Sequence, residues 1–124
     1  RDHWDIIEGQ GSLFHPSFTG VSLGLLHGSQ PDAFIVCHEP TRTQMRGVEA
    51  ALPSIGDVIE QTVQCGKLTN KNIHCIGIAL NTSNMKNNKS DIKKEISSQY
   101  QLPCIDPITD NLDPFIDLLE KIND

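Results

Sequence analysis

Two hydrophobic periods alternate along the chain. Residues 4–8 (Trp-Asp-Ile-Ile-Glu) form a short apolar run that reads as a strand. Residues 18–27 follow with Phe18, Val21 and Leu25 on one helical face. Residues 33–38 (Ala-Phe-Ile-Val-Cys-His) are continuously apolar over strand length, the pattern of a strand covered on both faces. Ser54 can cap a helix that carries Ile55, Val58, Ile59 and Val63 at helical spacing, with Asp57 in its first turn. Residues 73–80 (Ile-His-Cys-Ile-Gly-Ile-Ala-Leu) predict a second buried strand. After the polar stretch 81–89, Ser90 is expected to cap a helix with Ile92, Ile96 and Tyr100 on one stripe. Residues 102–105 read as a short strand. Asp113 and Pro114 then suit the N-cap and first turn of a last helix that buries Phe115, Leu118, Leu119 and Ile122.

The order β-α-β-α-β-α-β-α predicts an α/β fold, a mostly parallel sheet between helices. At 124 residues the chain can build one core, so positions 1–124 read as a single α/β domain. A formal charge of -6 argues against nucleic acid as a partner, because phosphate neutralisation needs a basic surface. Aromatic residues at 5% are also too few for a base-stacking platform. No apolar run is long enough for a membrane span, and no leader is expected. Cys37, Cys65, Cys75 and Cys104 form no Cys-X-X-Cys pair, and Cys37, Cys75 and Cys104 lie inside apolar runs. The expectation is a reduced, cytoplasmic protein with buried structural thiols.

In a parallel α/β sheet the loops after the carboxyl ends of the strands converge on one crevice. Those loops carry Glu8, Gln10, Ser12 and His15, then His38, Glu39, Thr41 and Arg42, then Asn81, Thr82 and Ser83, and finally Asp106 and Pro107. Glu8 at a strand tip can hold Mg²⁺ through water or act as a general base, or it can accept bonds from its own glycine turn. The glycines and serine that follow favour a functional role. Gly9 and Gly11 permit positive φ and close ligand approach, and with Gln10 and Ser12 they offer bare backbone amides to an anion.

His15 can exchange a proton with a substrate, or it can be a helix-entry residue bonded to backbone. His27 is expected to cap the C-terminus of its own helix before Gly28. Arg42 is suited to clamp a carboxylate or phosphate, with surface pairing to Glu39 as the alternative. His38 and Arg42 lean toward ligand binding; Glu39 leans to neither side. His74 reads as a structural strand-end histidine. Cys37 and His38 point to opposite faces of their strand, so they do not make a nucleophile–base pair. A Gly-X-Ser-X-Gly elbow is absent.

The run Glu8-Gly9-Gln10-Gly11-Ser12-Leu13-Phe14-His15-Pro16 resembles a family long described only as a domain of unknown function. So do Gly20-Val21, Leu25-Leu26-His27-Gly28-Ser29-Gln30-Pro31-Asp32-Ala33, Cys37-His38-Glu39-Pro40 and Arg42. Its members include D-glutamate N-acetyltransferases of bacterial D-amino-acid catabolism, and some carry an NAD-dependent epimerase/dehydratase-like label. The likeness is dense from residue 5 to 42. It thins through the helices and recovers at Gly77-Ile78-Ala79-Leu80-Asn81-Thr82-Ser83 and at Leu102-Pro103-Cys104-Ile105-Asp106-Pro107. Family members resemble a Rossmann-like domain followed by a P-loop-type domain whose phosphate loop precedes the Glu-Gly-Gln-Gly segment. Gly-X-X-X-X-Gly-Lys-Ser/Thr does not occur in this sequence. The resemblance therefore implies the distal half of a P-loop NTPase-like three-layer sandwich, a fragment that starts midway through a domain.

The resemblance also implies a function for the parent protein: acetyl transfer from acetyl-CoA to an amino-acid amine. Glu8 or His15 would be its base, and Gly9, Gln10, Gly11, Ser12, His38 and Arg42 its ligand-binding groups. A wider likeness to dethiobiotin-synthetase-like enzymes implies a nucleotide-dependent kinase or ligase instead. Glu8 would then sit on Mg²⁺ and Asn81 on the base of ATP, near Leu102-Pro103. A non-catalytic nucleotide- or CoA-binding module is the third reading. The expected partner is a small molecule (an amino acid, CoA or a nucleotide). The exposed sheet edge is expected to be covered by a second copy or by the missing N-terminal part, and the isolated fragment is expected to be inactive.

Overall fold

The computed structural model describes residues 3–122. Its elements run α1 (Thr19–Ser29), β1 (Ala33–His38), α2 (Ile55–Gly66), β2 (His74–Leu80), α3 (Lys89–Tyr100), β3 (Cys104–Ile105) and α4 (Asp113–Ile122). The three strands form one parallel sheet in the order β1-β2-β3. This is the α/β architecture that the alternating periods predict. One layer is α2 and α3, which close over Val36, Ile78, Leu80 and Cys104 with Ile55 and Ile96. On the opposite face α4 brings Phe115 against Ala79 and Ile105.

Alternation along the strands produces the two layers. Ile78 and Leu80 turn to α2 and α3, whereas Gly77 and Ala79 turn to α4. The register between β1 and β2 slips once, Phe34 pairing with Cys75 and Ile35 with Gly77. Ile76 is thus the extra residue of a bulge, and Gly77 follows it directly. A side-chain carbon on Gly77 would overlap the ring of Phe115, so glycine is what lets α4 lie close to β2.

Ser54 caps α2 as the sequence predicts, with a full capping box: its hydroxyl accepts from the Asp57 N–H and Asp57 accepts from the Ser54 N–H. Several expectations need correction. Residues 4–8 run exposed and form no strand, because no neighbouring strand offers them a ladder among the described residues. β1 is buried on one face only: Ile35 and Cys37 point away from α2 and stay exposed, since α4 lies over β2 and β3 and not over β1. Cys37 is therefore not a buried thiol, while Cys104 is.

α1 has no buried residue, and Phe18 and Val21 are about half exposed. α3 starts at Lys89 after a left-handed Asn88 that makes no side-chain cap, so Ser90 does not cap it. α4 starts at Asp113 itself, the N–H groups of Phe115 and Ile116 both reaching the Leu112 carbonyl. No described helix is long and apolar enough to cross a membrane.

Replacing Gly77 with alanine should destabilise the fold by roughly 1–3 kcal/mol, as overpacking of a closed core does. Urea unfolding measures it, and an unchanged midpoint would mean that α4 does not pack on β2 in this way.

Candidate functional site

Three loops leave the carboxyl ends of the strands or precede α1, and each is held differently. In the first, Gly11 takes φ +121 and stacks its backbone near Phe18. Ser12 accepts the Phe14 N–H at 3.1 Å, so its hydroxyl shapes the turn. His15 is buried, with its ring 4.8 Å from that of Phe18. Its Nδ1 accepts the Ser17 N–H at 3.1 Å, which leaves the proton on Nε2, and Nε2–H donates to the Arg46 carbonyl at 2.9 Å. His15 therefore ties the Glu-Gly-Gln-Gly-Ser turn to the loop after β1. Glu8, Gly9 and Gln10 are exposed, and a side chain on Gly9 would meet open space.

The loop after β1 carries His38, Glu39 and Arg42. His38 is half buried, and its ring has no hydrogen bond among the described residues. Desolvation lowers its pKa, against a smaller upward pull from the Glu39 charge, so the neutral imidazole is favoured. Arg42 Nη2 donates to Glu39 Oε2 at 2.9 Å. Glu39 Oε1 accepts from the Thr41 hydroxyl at 3.1 Å and from Asn84 Nδ2 at 2.7 Å. Those bonds, Asn84 first, hold the Glu39 carboxyl below its usual pKa. Sequence reasoning offered surface pairing of Arg42 with Glu39 as one alternative, and that pair forms; it never singled out Asn84, because nothing in a sequence pairs positions 45 apart.

The loop after β2 is fastened from beneath. Thr82 is buried and donates both its hydroxyl and its N–H to Asp106 Oδ2, the N–H at 3.2 Å. The Ile108 N–H donates to Oδ1 at 2.9 Å. Asp106 is 4% exposed, and these donors, the Thr82 hydroxyl first, depress its pKa. Asp110 accepts the Asp106 N–H at 2.8 Å and is clamped by Lys93 Nζ at 2.7 and 2.9 Å. Asn81 Oδ1 accepts from the Ser83 N–H and hydroxyl at 3.1 and 2.6 Å, an Asx turn that closes the strand.

Glu8, Gly9, Gln10, Gly11, Ser12, His15, His38 and Arg42 all line one broad open hollow, which runs along the exposed side of β1 as far as Pro31 and Asn70 at the strand's other end. Asn81 does not line it. His27 does not cap its own helix either, since α1 continues to Ser29. Its Nε2–H donates to the Cys65 carbonyl at 2.8 Å, in the last turn of α2. His74 is a structural strand-end residue, its Nδ1 2.9 Å from the Asn72 carbonyl. Among the described residues no group of three or more His, Cys, Asp or Glu side chains could hold a metal. A Mg²⁺ at Glu8 would therefore rest on one carboxylate with water and substrate oxygens.

A parallel sheet between helices, open on its β1 side, has the architecture of part of a P-loop-type domain. Residues 1–116 match the model of the P-loop domain of unknown function DUF1611_C, and the chain belongs to that family. It is 49% identical over 116 residues to a D-glutamate N-acetyltransferase of Pseudoalteromonas sp, covering 92% of this chain and 35% of that protein. It is 41% identical over 123 residues to a D-glutamate N-acetyltransferase of Tritonibacter scottomollicae, covering 98% of this chain and 37% of that one. The chain thus spans about a third of the length of these curated relatives. The crystal structure of a DUF1611 family protein from Anabaena variabilis superposes with a TM-score of 0.81 at 27% identity, covering 92% of this chain and 34% of that one.

Asp106 makes stability acid-sensitive. A carboxyl with a depressed folded pKa stabilises above its unfolded value, ordinarily 3.8, and loses that contribution as pH falls through the folded value. Asp106→Asn should cost about 1–3 kcal/mol at pH 7. The gap from wild type should narrow below pH ~4. Urea midpoints measured across pH read this; a gap that stays constant down to pH 2 would refute it.

Proposed function

We propose that this chain is the ligand-edge part of a larger D-glutamate N-acetyltransferase-like enzyme, which moves an acetyl group from acetyl-CoA to an amino-acid amine. The observation that carries this reading is that Glu8, the glycine-turn residues and Arg42 all open onto the same broad hollow on the β1 side of the sheet. Arg42 takes the carboxylate of the amino acid. The exposed amides of Gly9, Gln10 and Gly11 suit the diphosphate of CoA. Glu8 takes one proton from the ammonium group, and the freed amine nitrogen then attacks the thioester carbonyl; as the C–N bond forms and the C–S bond breaks, a second N–H proton passes to sulfur, so CoA leaves as its thiol. His15 has both ring nitrogens occupied by backbone, so its part is to hold the turn in place. The names of the two relatives, both D-glutamate N-acetyltransferases, support D-glutamate as the acceptor of the acetyl group.

The nucleotide-dependent reading has less behind it. Asn81 lies outside the groove and its side-chain oxygen is taken by Ser83. In the parent protein the open edge of β1 and the exposed face around Ile35 and Cys37 are covered by further chain or by a second copy.

The full-length protein, given acetyl-CoA and D-glutamate, should release free CoA, and Glu8→Gln should lower kcat about 100-fold or more. The isolated 124-residue chain should give no turnover in the same assay. No CoA release by the parent, or a Glu8→Gln enzyme equal to wild type, would sink the acyltransferase reading. Magnesium-dependent ATP binding in calorimetry would favour the kinase or ligase. For the β1 edge, sedimentation of the isolated chain should reveal self-association, and a monodisperse monomer would count against it.

A further inference from the structure

Glu39 stands beside the groove and not on its lining, and the acetyl-transfer reading leaves it without work. Thr41, Arg42 and Asn84 converge on its two oxygens, and the last of these reaches it from the loop after β2. Its side chain is 18% exposed and that of Arg42 is 46% exposed. Arg42 therefore stands toward solvent with one nitrogen fixed on Glu39 and its remaining N–H groups unbonded among the described residues.

This arrangement changes what Arg42 can recognise. A lone guanidinium attracts any anion. Paired to an ionised carboxylate, the two form a dipole with no net charge, and its best partner is a head group carrying both signs. An α-amino acid is such a head group, with its ammonium and carboxylate on neighbouring atoms. Resting on the acetyl-transfer reading, we infer that Glu39 is the specificity-determining residue that makes the Arg42 subsite read a zwitterion: from beside Arg42 its charge balances the guanidinium and attracts the substrate ammonium, while Arg42 faces the substrate carboxylate. Acetylation turns the ammonium into a neutral amide. The product then presents an unbalanced carboxylate to the Glu39 charge, and the subsite favours its release.

Calorimetry of the full-length protein with D-glutamate, N-acetyl-D-glutamate and glutarate tests this. Wild type should bind D-glutamate about tenfold or more tightly than either ligand lacking the ammonium. Glu39→Gln keeps the size, removes the charge and replaces one accepting oxygen by a donating amide, so one of the present bonds is lost with it. It should weaken D-glutamate while leaving or strengthening the other two, bringing the ratio close to one. Asn84→Ala removes a brace of Glu39 without removing its charge, so it should keep the ratio well above one. An unchanged ratio in Glu39→Gln would overturn the inference, as would an equal loss for all three ligands in both variants, the result of a loop brace alone. If wild type binds no D-glutamate at all, the acetyl-transfer reading falls with it; intact D-glutamate binding with an unchanged ratio removes only the role of Glu39.

Discussion

A strand covered on both faces must satisfy two packing surfaces at once. β2 does so by setting Ile78 and Leu80 against α2 and α3 and a bare glycine against α4. The absence of a side chain at Gly77 is as consequential as the presence of Leu80, because Phe115 occupies the space that a Cβ would need. The bulge at Ile76 sits immediately before that contact. From this fixed point β2 delivers Asn81 and Thr82 to the carboxyl edge, and the height of every neighbouring loop is set against theirs.

The edge itself divides into a stiff part and a permissive one. Thr82, Asp106, Asp110 and Lys93 form a continuous series of bonds through the loops after β2 and β3, with Thr82 and Asp106 almost wholly buried. A buried carboxylate is tolerated here because backbone and hydroxyl donors surround it. The glycine turn, by contrast, is anchored chiefly through His15 and keeps residues 8–11 exposed. Rigid strand ends thus stand beside an accessible backbone-amide turn.

The hydrophobic periods carried the sheet, because β2 and the stripes of α2 and α3 are determined by local alternation. The Ser54 capping box was equally legible, since both halves lie within one helical turn. Residues 4–8 misled because an apolar run states a preference for pairing without supplying the partner strand. β1 misled for a related reason: a continuous apolar run predicts two covered faces, but coverage of the second depends on where α4 comes to rest. At the site, the strand-end residues read from the sequence include Glu8, Gln10, Ser12, His15, His38 and Arg42, which line the hollow, and Asn81, which does not; Glu8 itself stands at the end of no strand. What the sequence alone could not contain was the bonding among them, for Asn84 meets Glu39, and His15 meets Arg46, only once the sheet has brought distant loops together.

That bonding decides between residues that look equivalent in sequence. Four histidines stand near strand or helix ends, yet His15 and His27 are each fixed to a carbonyl of another segment and His74 to the nearby Asn72 carbonyl, while the His38 ring makes no hydrogen bond among the described residues. The same logic separates the two arginines of the loop after β1. Arg46 lends its backbone to His15, whereas Arg42 has its head group oriented by Glu39. An exposed ion pair adds little to stability. One that is braced by Thr41 and by Asn84 from a second loop instead fixes a direction, and a fixed direction is what an anion-binding arginine needs before its ligand arrives.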